Sequence, residues 1–230
     1  MMAGRRKQRR SRWMPFSLKT RIIVDWAQIL IGLLIYSFGV YFTIYANIGL
    51  APWDCLAVGI SCNTPLNYGS AMVLIGVFAI VIQLILHESI GFATLFDALL
   101  TGNAVQFLCD ISPYPENRSL WLGIIFMLFG FLFIALGMYV YMSAEQGCGS
   151  KDGLMIAIGK RLPKIPIGIV EILLWAVVAF FGWLLGGTVG IGTLISTLGA
   201  GTVMHLFYRL IHFEPRALQH RSITDMLRWK

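Results

Sequence analysis

Residues 30–56, LIGLLIYSFGVYFTIYANIGLAPWDCL, and residues 128–154, LFGFLFIALGMYVYMSAEQGCGSKDGL, are two versions of one segment. A shift of 98 residues lays Gly32, Gly39, Tyr41, Ala46, Gly49, Asp54 and Leu56 on Gly130, Gly137, Tyr139, Ala144, Gly147, Asp152 and Leu154. Over residues 30–60, ten of 31 positions are identical, against roughly one in ten for chance matching in an apolar-rich chain. Further along, the offset becomes 99. Gly69, Gly91, Thr94, Leu95, Leu99 and Gly102 then match Gly168, Gly190, Thr193, Leu194, Leu198 and Gly201. Glycines dominate the matches, and glycine marks places where a backbone bends or packs closely.

The setting of this duplication is a membrane. The chain is 57% hydrophobic and 13% charged. No Lys, Arg, Asp or Glu occurs between Trp26 and Trp53, Cys55 and His87, Ser119 and Ala144, or Ile172 and Tyr208. Each run reaches the roughly 20 residues that cross a bilayer as a helix, where a soluble domain would show amphipathic stripes. A soluble globular fold is excluded, and an all-α membrane protein is expected. The net charge of +7 is not a nucleic-acid signal, because eight of the 18 basic residues lie in the first 21 positions. A basic cluster beside a first span reads as an anchor for anionic lipid headgroups. The apolar stretch after it is too long for a secretory leader and reads as an uncleaved signal anchor.

Six spans are expected, at about 26–46, 67–86, 91–109, 119–142, 166–186 and 190–210. Two segments, 52–62 and 150–162, are too short to cross and read as half-helices. Pro52 suits a first helical turn and Ser150 an N-cap, and the bends before them hold Gly49, Gly147 and Gly149. The organisation is then a basic tail (1–25), a first membrane repeat (26–113), a second (114–211) and a C-terminal tail (212–230). With both tails inside, 17 of 18 basic residues fall on cytoplasmic segments and Arg118 alone falls outside, as the positive-inside rule requires. Three spans per repeat is an odd number, so the second copy sits inverted relative to the first, as in many carriers.

The most repeated polar feature is Gly49-Leu-Ala-Pro-Trp53-Asp54 against Gly147-Cys-Gly-Ser-Lys151-Asp152. A helix that begins at depth aims unpaired N–H groups and a positive dipole end into the protein. Each aspartate either caps its helix and offsets that dipole, or holds a cationic group or a coupling proton.

These residues carry a resemblance. Gly49, Pro52, Trp53 and Asp54 after a long first span, with Gly59 and Ser61 following, are similar to the YczE/YitT group of bacterial integral membrane proteins, the YczE branch in particular. The runs from Gly91 to Gly102 and from Gly190 to Gly201 resemble theirs as well. The likeness spans about 26–210 and implies a bacterial cytoplasmic-membrane protein, suspected to be a transporter or permease.

Ionisable residues inside spans are costly and often functional. Glu171 stands where the first copy has Met72, and either pairs with Lys151 or Lys164 or carries a proton. Asp97, matched by Ser196, either caps a helix broken after Gly91 or faces a cavity, the second being favoured. Gln106 and His205 match, as do Asn103 and Thr202. Cys55, Cys62, Cys109 and Cys148 show no metal-ligand spacing, and no metal or cofactor is expected. Trp13, Trp26, Tyr114, Trp121 and Trp183 read as interface belt residues.

The leading expectation is a secondary transporter for a small polar solute. Asp54 and Asp152 would sit at its site, with Asp97, Lys151 and Glu171 as further candidates. No Walker A run is present, so an ion gradient or a partner would supply the energy. A non-transporting accessory membrane protein and an aquaporin-like channel are the alternatives. Enzyme motifs such as HExxH and GxSxG are missing. The bilayer is the certain partner, and a homo-oligomer remains open.

Overall fold

The chain folds entirely into helices across residues 18–112, 119–165 and 167–212, which are the residues that the computed structural model describes. Eight helices occur there: α1 (Leu18–Tyr45), α2 (Pro52–Asn63), α3 (Tyr68–Ile85), α4 (Phe92–Ile111), α5 (Leu120–Met142), α6 (Ser150–Arg161), α7 (Ile167–Leu184) and α8 (Ile191–Leu210). Five of them, α1 over Ile22–Tyr45, α3, α4, α5 and α8, are long and apolar enough to cross a membrane. Two expectations shift. The first helix begins at Leu18, ahead of position 26, because no Gly or Pro interrupts residues 18–25. The segment expected at 166–186 is helical only over 18 residues. The basic tail before Leu18, Trp13, Tyr114, Arg118 and the tail from Phe213 lie outside the described residues.

Polarity is arranged inside out. Phe78, Trp121, Phe107 and Leu210 are exposed, whereas Ser37, Thr43, Asp54, Gln83, Thr94, Asp97, Thr101, Gln146 and Ser150 are buried. Exposed apolar surface of that extent needs lipid around it. Trp26, Trp121 and Trp183 are all exposed.

The centre of the molecule is the contact of α1 with α5, the most extensive helix pair. A Cβ on Gly32 would lie 2.6 Å from the Tyr141 backbone nitrogen and 3.0 Å from the Gly137 carbonyl; one on Gly137 would lie 2.5 Å from Tyr36 N and 2.7 Å from the Gly32 carbonyl. Gly39 and Gly130 face each other in the same way. The contacts run 32 to 137 and 39 to 130, so the two helices are antiparallel. They are also reciprocal. Under the 98-residue shift the contact of Gly39 with Ile134 becomes that of Gly137 with Tyr36, and both occur. This small-residue packing lets backbones touch where lipid offers no hydrophobic drive for helix association.

Each half-helix packs on the second long helix of the other copy, α2 on α7 and α6 on α3. A Cβ on Gly182 would meet Cys55 and Leu56, and one on Gly153 would meet the Gln83 side chain. Gln83 and Gly182 are matched positions, as are Cys55 and Gly153. Helices α3 and α7 end alike, on left-handed His87 (φ 54) and Gly186 (φ 92). There Glu88 N–H donates to the Gln83 carbonyl at 2.9 Å and Gly187 N–H to the Gly182 carbonyl at 2.8 Å. Both are the wide loop-back bonds of a Schellman cap.

Candidate functional site

The half-helices start from bends of the same shape. Asn47 and Glu145 are left-handed (φ 51 and 58), and two residues on Gly49 and Gly147 reach φ 120 and 112. Such angles suit glycine and few other residues. Each bend locks to the helix start of the opposite copy. Gly192 N–H donates to the Ile48 carbonyl at 2.8 Å, and Ala93 N–H to the Gln146 carbonyl at 3.0 Å. A Cβ on Gly49 would collide with Gly190, and one on Gly91 with the Gln146 carbonyl. Helices α2 and α6 are thereby held at the start of α8 and α4.

The two starts are capped differently. Pro52 is the first residue of α2, and no side chain caps it; a missing N–H leaves one donor fewer to satisfy. Ser150 is the first residue of α6, one place inside the N-cap, which is Gly149. Its N–H is satisfied from another helix. Asp97 Oδ2 accepts from Ser150 N at 2.7 Å and from Ser150 Oγ at 2.8 Å, while Asp97 Oδ1 accepts from Thr101 Oγ1 at 2.8 Å. Asp97 opens a π-helical turn, Asp97–Thr101, within α4. The expectation that it faces a cavity is therefore corrected. Three donors occupy its carboxylate, because the positive end of α6 is aimed at it. The sequence did not point to this pairing, since Asp97 and Ser150 are 53 residues apart.

Asp54 and Asp152 stand in the first turns of α2 and α6. Neither helix start carries a side-chain cap of its own. Instead Asp54 Oδ1 accepts from the Tyr68 hydroxyl at 2.7 Å, and Asp152 Oδ2 from the Tyr141 hydroxyl at 3.3 Å. The carboxylates of Asp152 and Asp97 both come within 3.3 Å of the place that a Cβ on Gly149 would take. Lys151 lies within electrostatic reach of Asp54 and of Asp152. Among the described residues no acceptor stands at hydrogen-bonding distance from its ammonium. The Tyr36 ring meets that of Tyr141 edge-on at 6.4 Å, and Tyr36 is within reach of all three aspartates. The two helix starts thus carry two tyrosine-bonded carboxylates, Asp54 and Asp152, with Lys151 in electrostatic reach of both.

The remaining candidates sit at the edges. Trp53 is half-buried beside Ala57, Ala71, Met72 and Ile75. Glu171 is half-buried and within electrostatic reach of Asp152; among the described residues it forms no ion pair with Lys151 or Lys164. The sequence reading missed Tyr36, Tyr68 and Tyr141. Only Tyr141 had a signal, its place eight residues before Gly149. Gln83 was missed too; it donates to the Ser150 carbonyl at 2.7 Å.

Over residues 23–209 the chain matches the model of the Family of unknown function (DUF6198). The chain belongs to this family. Relatives that it resembles include the Haemophilus influenzae "Uncharacterized protein", 29% identical over 88% of the chain and 91% of the relative. Two are from Bacillus subtilis. "Uncharacterized protein YyaS" is 30% identical over 80% of the chain and 92% of the relative. "Uncharacterized membrane protein YczE" is 27% identical over 81% and 86%. The YczE-like resemblance is thereby shown, and with it an integral membrane protein. No solved structure matches. The family match takes in both bends and every candidate from Gly49 to Glu171.

Proposed function

We propose that this protein is a secondary transporter or permease for a small polar solute, built from two inverted three-span repeats in the bacterial cytoplasmic membrane. The observation that carries the reading is that Lys151, at the start of α6, lies within electrostatic reach both of Asp152 on its own helix and of Asp54 at the start of α2. Charged groups are held at such depth at a cost of several kcal/mol, and a solute site is what offsets that cost. Half-helices that point their starts at a midplane site are a recurrent carrier device.

The inverted topology draws support from the reciprocal contacts of α1 and α5, and from the exchange of half-helices between copies. In this reading α7 also spans, which brings the number to six. Its 18 residues rise about 27 Å, short of the roughly 30 Å hydrocarbon core by a margin that local thinning covers. Both tails then face the cytoplasm, α2 enters from outside and α6 from the cytoplasm. The protein performs no covalent chemistry; its side chains bind, orient and release. Asp54 and Asp152 hold the solute's donors, Lys151 its acceptor, and the tyrosine hydroxyls keep both carboxylates in place.

The test is uptake of a panel of radiolabelled amino acids, amines and organic acids into proteoliposomes, comparing wild type with Asp54→Asn and Asp152→Asn. A solute carried by the wild type and lost in both variants supports the reading. Transport unchanged in both variants removes the aspartates from the mechanism.

A further inference from the structure

The two copies agree at their bends and disagree at one pair of glycines. In the first copy Gly69 of α3 and Gly102 of α4 are buried against each other. A Cβ on Gly69 would lie 3.2 Å from the Gly102 carbonyl and 2.9 Å from Asn103 Oδ1. One on Gly102 would fall on the Met72 side chain and lie 3.0 Å from the Gly69 carbonyl. Gln106 Oε1 completes the closure by accepting from Gly69 N–H at 3.3 Å. The matched residues of the second copy are Gly168 of α7 and Gly201 of α8. Both are exposed, and a Cβ on either would meet nothing within 4 Å. Helix α8 packs chiefly on α5, and α7 leans on α2.

A duplicated backbone contact that is closed in one copy and open in the other is a contact with two arrangements. We propose that Gly168 and Gly201 form a gate that closes as Gly69 and Gly102 have closed, and that Glu171 holds it open. Glu171 occupies the position of Met72, the side chain that fills the closed gap in the first copy. A carboxylate in a methionine-sized apolar slot is expensive to desolvate, so the closed arrangement of the second copy is disfavoured until that charge is neutralised or paired.

The gate deepens the transporter reading, since opening on one face while the other is shut is what alternating access needs. Its test, however, requires no solute. In proteoliposomes the double variant Gly168→Cys/Thr202→Cys places thiols at the counterparts of Gly69 and Asn103. Closure brings them to disulfide range, whereas the open arrangement keeps them apart. Oxidation is expected to yield a 168–202 cross-link, identified by peptide mass spectrometry so that the four native cysteines stay in place. Glu171→Met is expected to raise its rate about tenfold, a population shift for removing one buried charge. Cross-linking without transport of any solute would leave the gate standing and remove the transporter reading. No cross-link, or a cross-link whose rate Glu171→Met leaves unchanged, overturns the gate.

Discussion

Asp97 Oδ2 holds Ser150 twice, through the backbone N–H at 2.7 Å and the hydroxyl at 2.8 Å, and so ties the start of α6 to the middle of α4. At the matched positions the second tie is missing in kind. Asp97 corresponds to Ser196 and Ser150 to Pro52, and Ser196 Oγ donates to the Thr193 carbonyl at 2.9 Å. A proline has no N–H to satisfy, so a carboxylate is not needed opposite it.

The first prediction follows from that exchange. Asp97→Ala leaves a buried N–H and hydroxyl unpaired and should lower stability by about 1–3 kcal/mol, read as a loss of melting temperature in detergent. Adding Ser150→Pro to Asp97→Ser recreates the second copy's pairing and should recover much of the loss. Simple additivity of the two single variants would show that the residues do not couple.

A second prediction concerns matched glycines. Gly102→Ala forces a Cβ onto Met72 and should cost about 1–3 kcal/mol by overpacking. Gly201→Ala meets open space and should stabilise α8 by roughly 0.5–1 kcal/mol on helix propensity. Under the gate proposal it should still slow transport. Equal melting shifts for the two variants would contradict the asymmetry.

Much of this architecture was legible in the sequence. The bends were readable because Gly49 and Gly147 repeat at positions where only a glycine takes φ above 100 without strain. The two short helices were readable because 52–62 and 150–162 lie between long uncharged runs and the structure has helices there at Pro52–Asn63 and Ser150–Arg161. Partners across the fold were not. Asp97 reaches Ser150 from another helix, Tyr68 reaches Asp54 across a turn, and Gln83 reaches Ser150 from 67 residues away. Periodicity reports which face of a helix is apolar, and in a bilayer nearly every face is. It therefore said little about which helices touch, and nothing about why Gly69 and Gly102 are closed on each other while Gly168 and Gly201 are open.

The tyrosines give a third prediction. Tyr68→Phe and Tyr141→Phe each remove one hydrogen bond to a carboxylate. Each should cost about 1 kcal/mol or somewhat more of stability and weaken solute binding several-fold, seen as a raised half-saturation concentration in uptake. The effect should be larger at position 68, where the bond is 2.7 Å, than at 141, where it is 3.3 Å. A larger effect at 141 would argue that Asp152 is held by something else.

The fourth prediction uses paired clasps at the far ends of the half-helices. Asn63 Nδ2 donates to the carbonyls of Gly59 at 2.9 Å and Leu185 at 2.6 Å. Its counterpart Arg161 donates to the carbonyls of Ala157 and Leu86. Arg161→Asn should therefore preserve stability to within about 0.5 kcal/mol, whereas Arg161→Ala should lose about 1 kcal/mol. Glu88→Gln removes the charge from the 2.6 Å pair with the exposed Lys160 and should cost about 1 kcal/mol or less, and less in high salt. Melting curves at two salt concentrations decide both.

The central claim is that α2 and α6 enter from opposite faces of the membrane and meet at their starts. Cys62 lies exposed near the C-terminal end of α2, and Lys164 lies exposed just beyond α6. In intact bacterial cells a membrane-impermeant maleimide should label Cys62, with Cys62→Ser as the control. A Lys164→Cys variant should gain no label there until the membrane is permeabilised. Labelling of both positions from the same side would contradict the inverted arrangement and the shared site built on it.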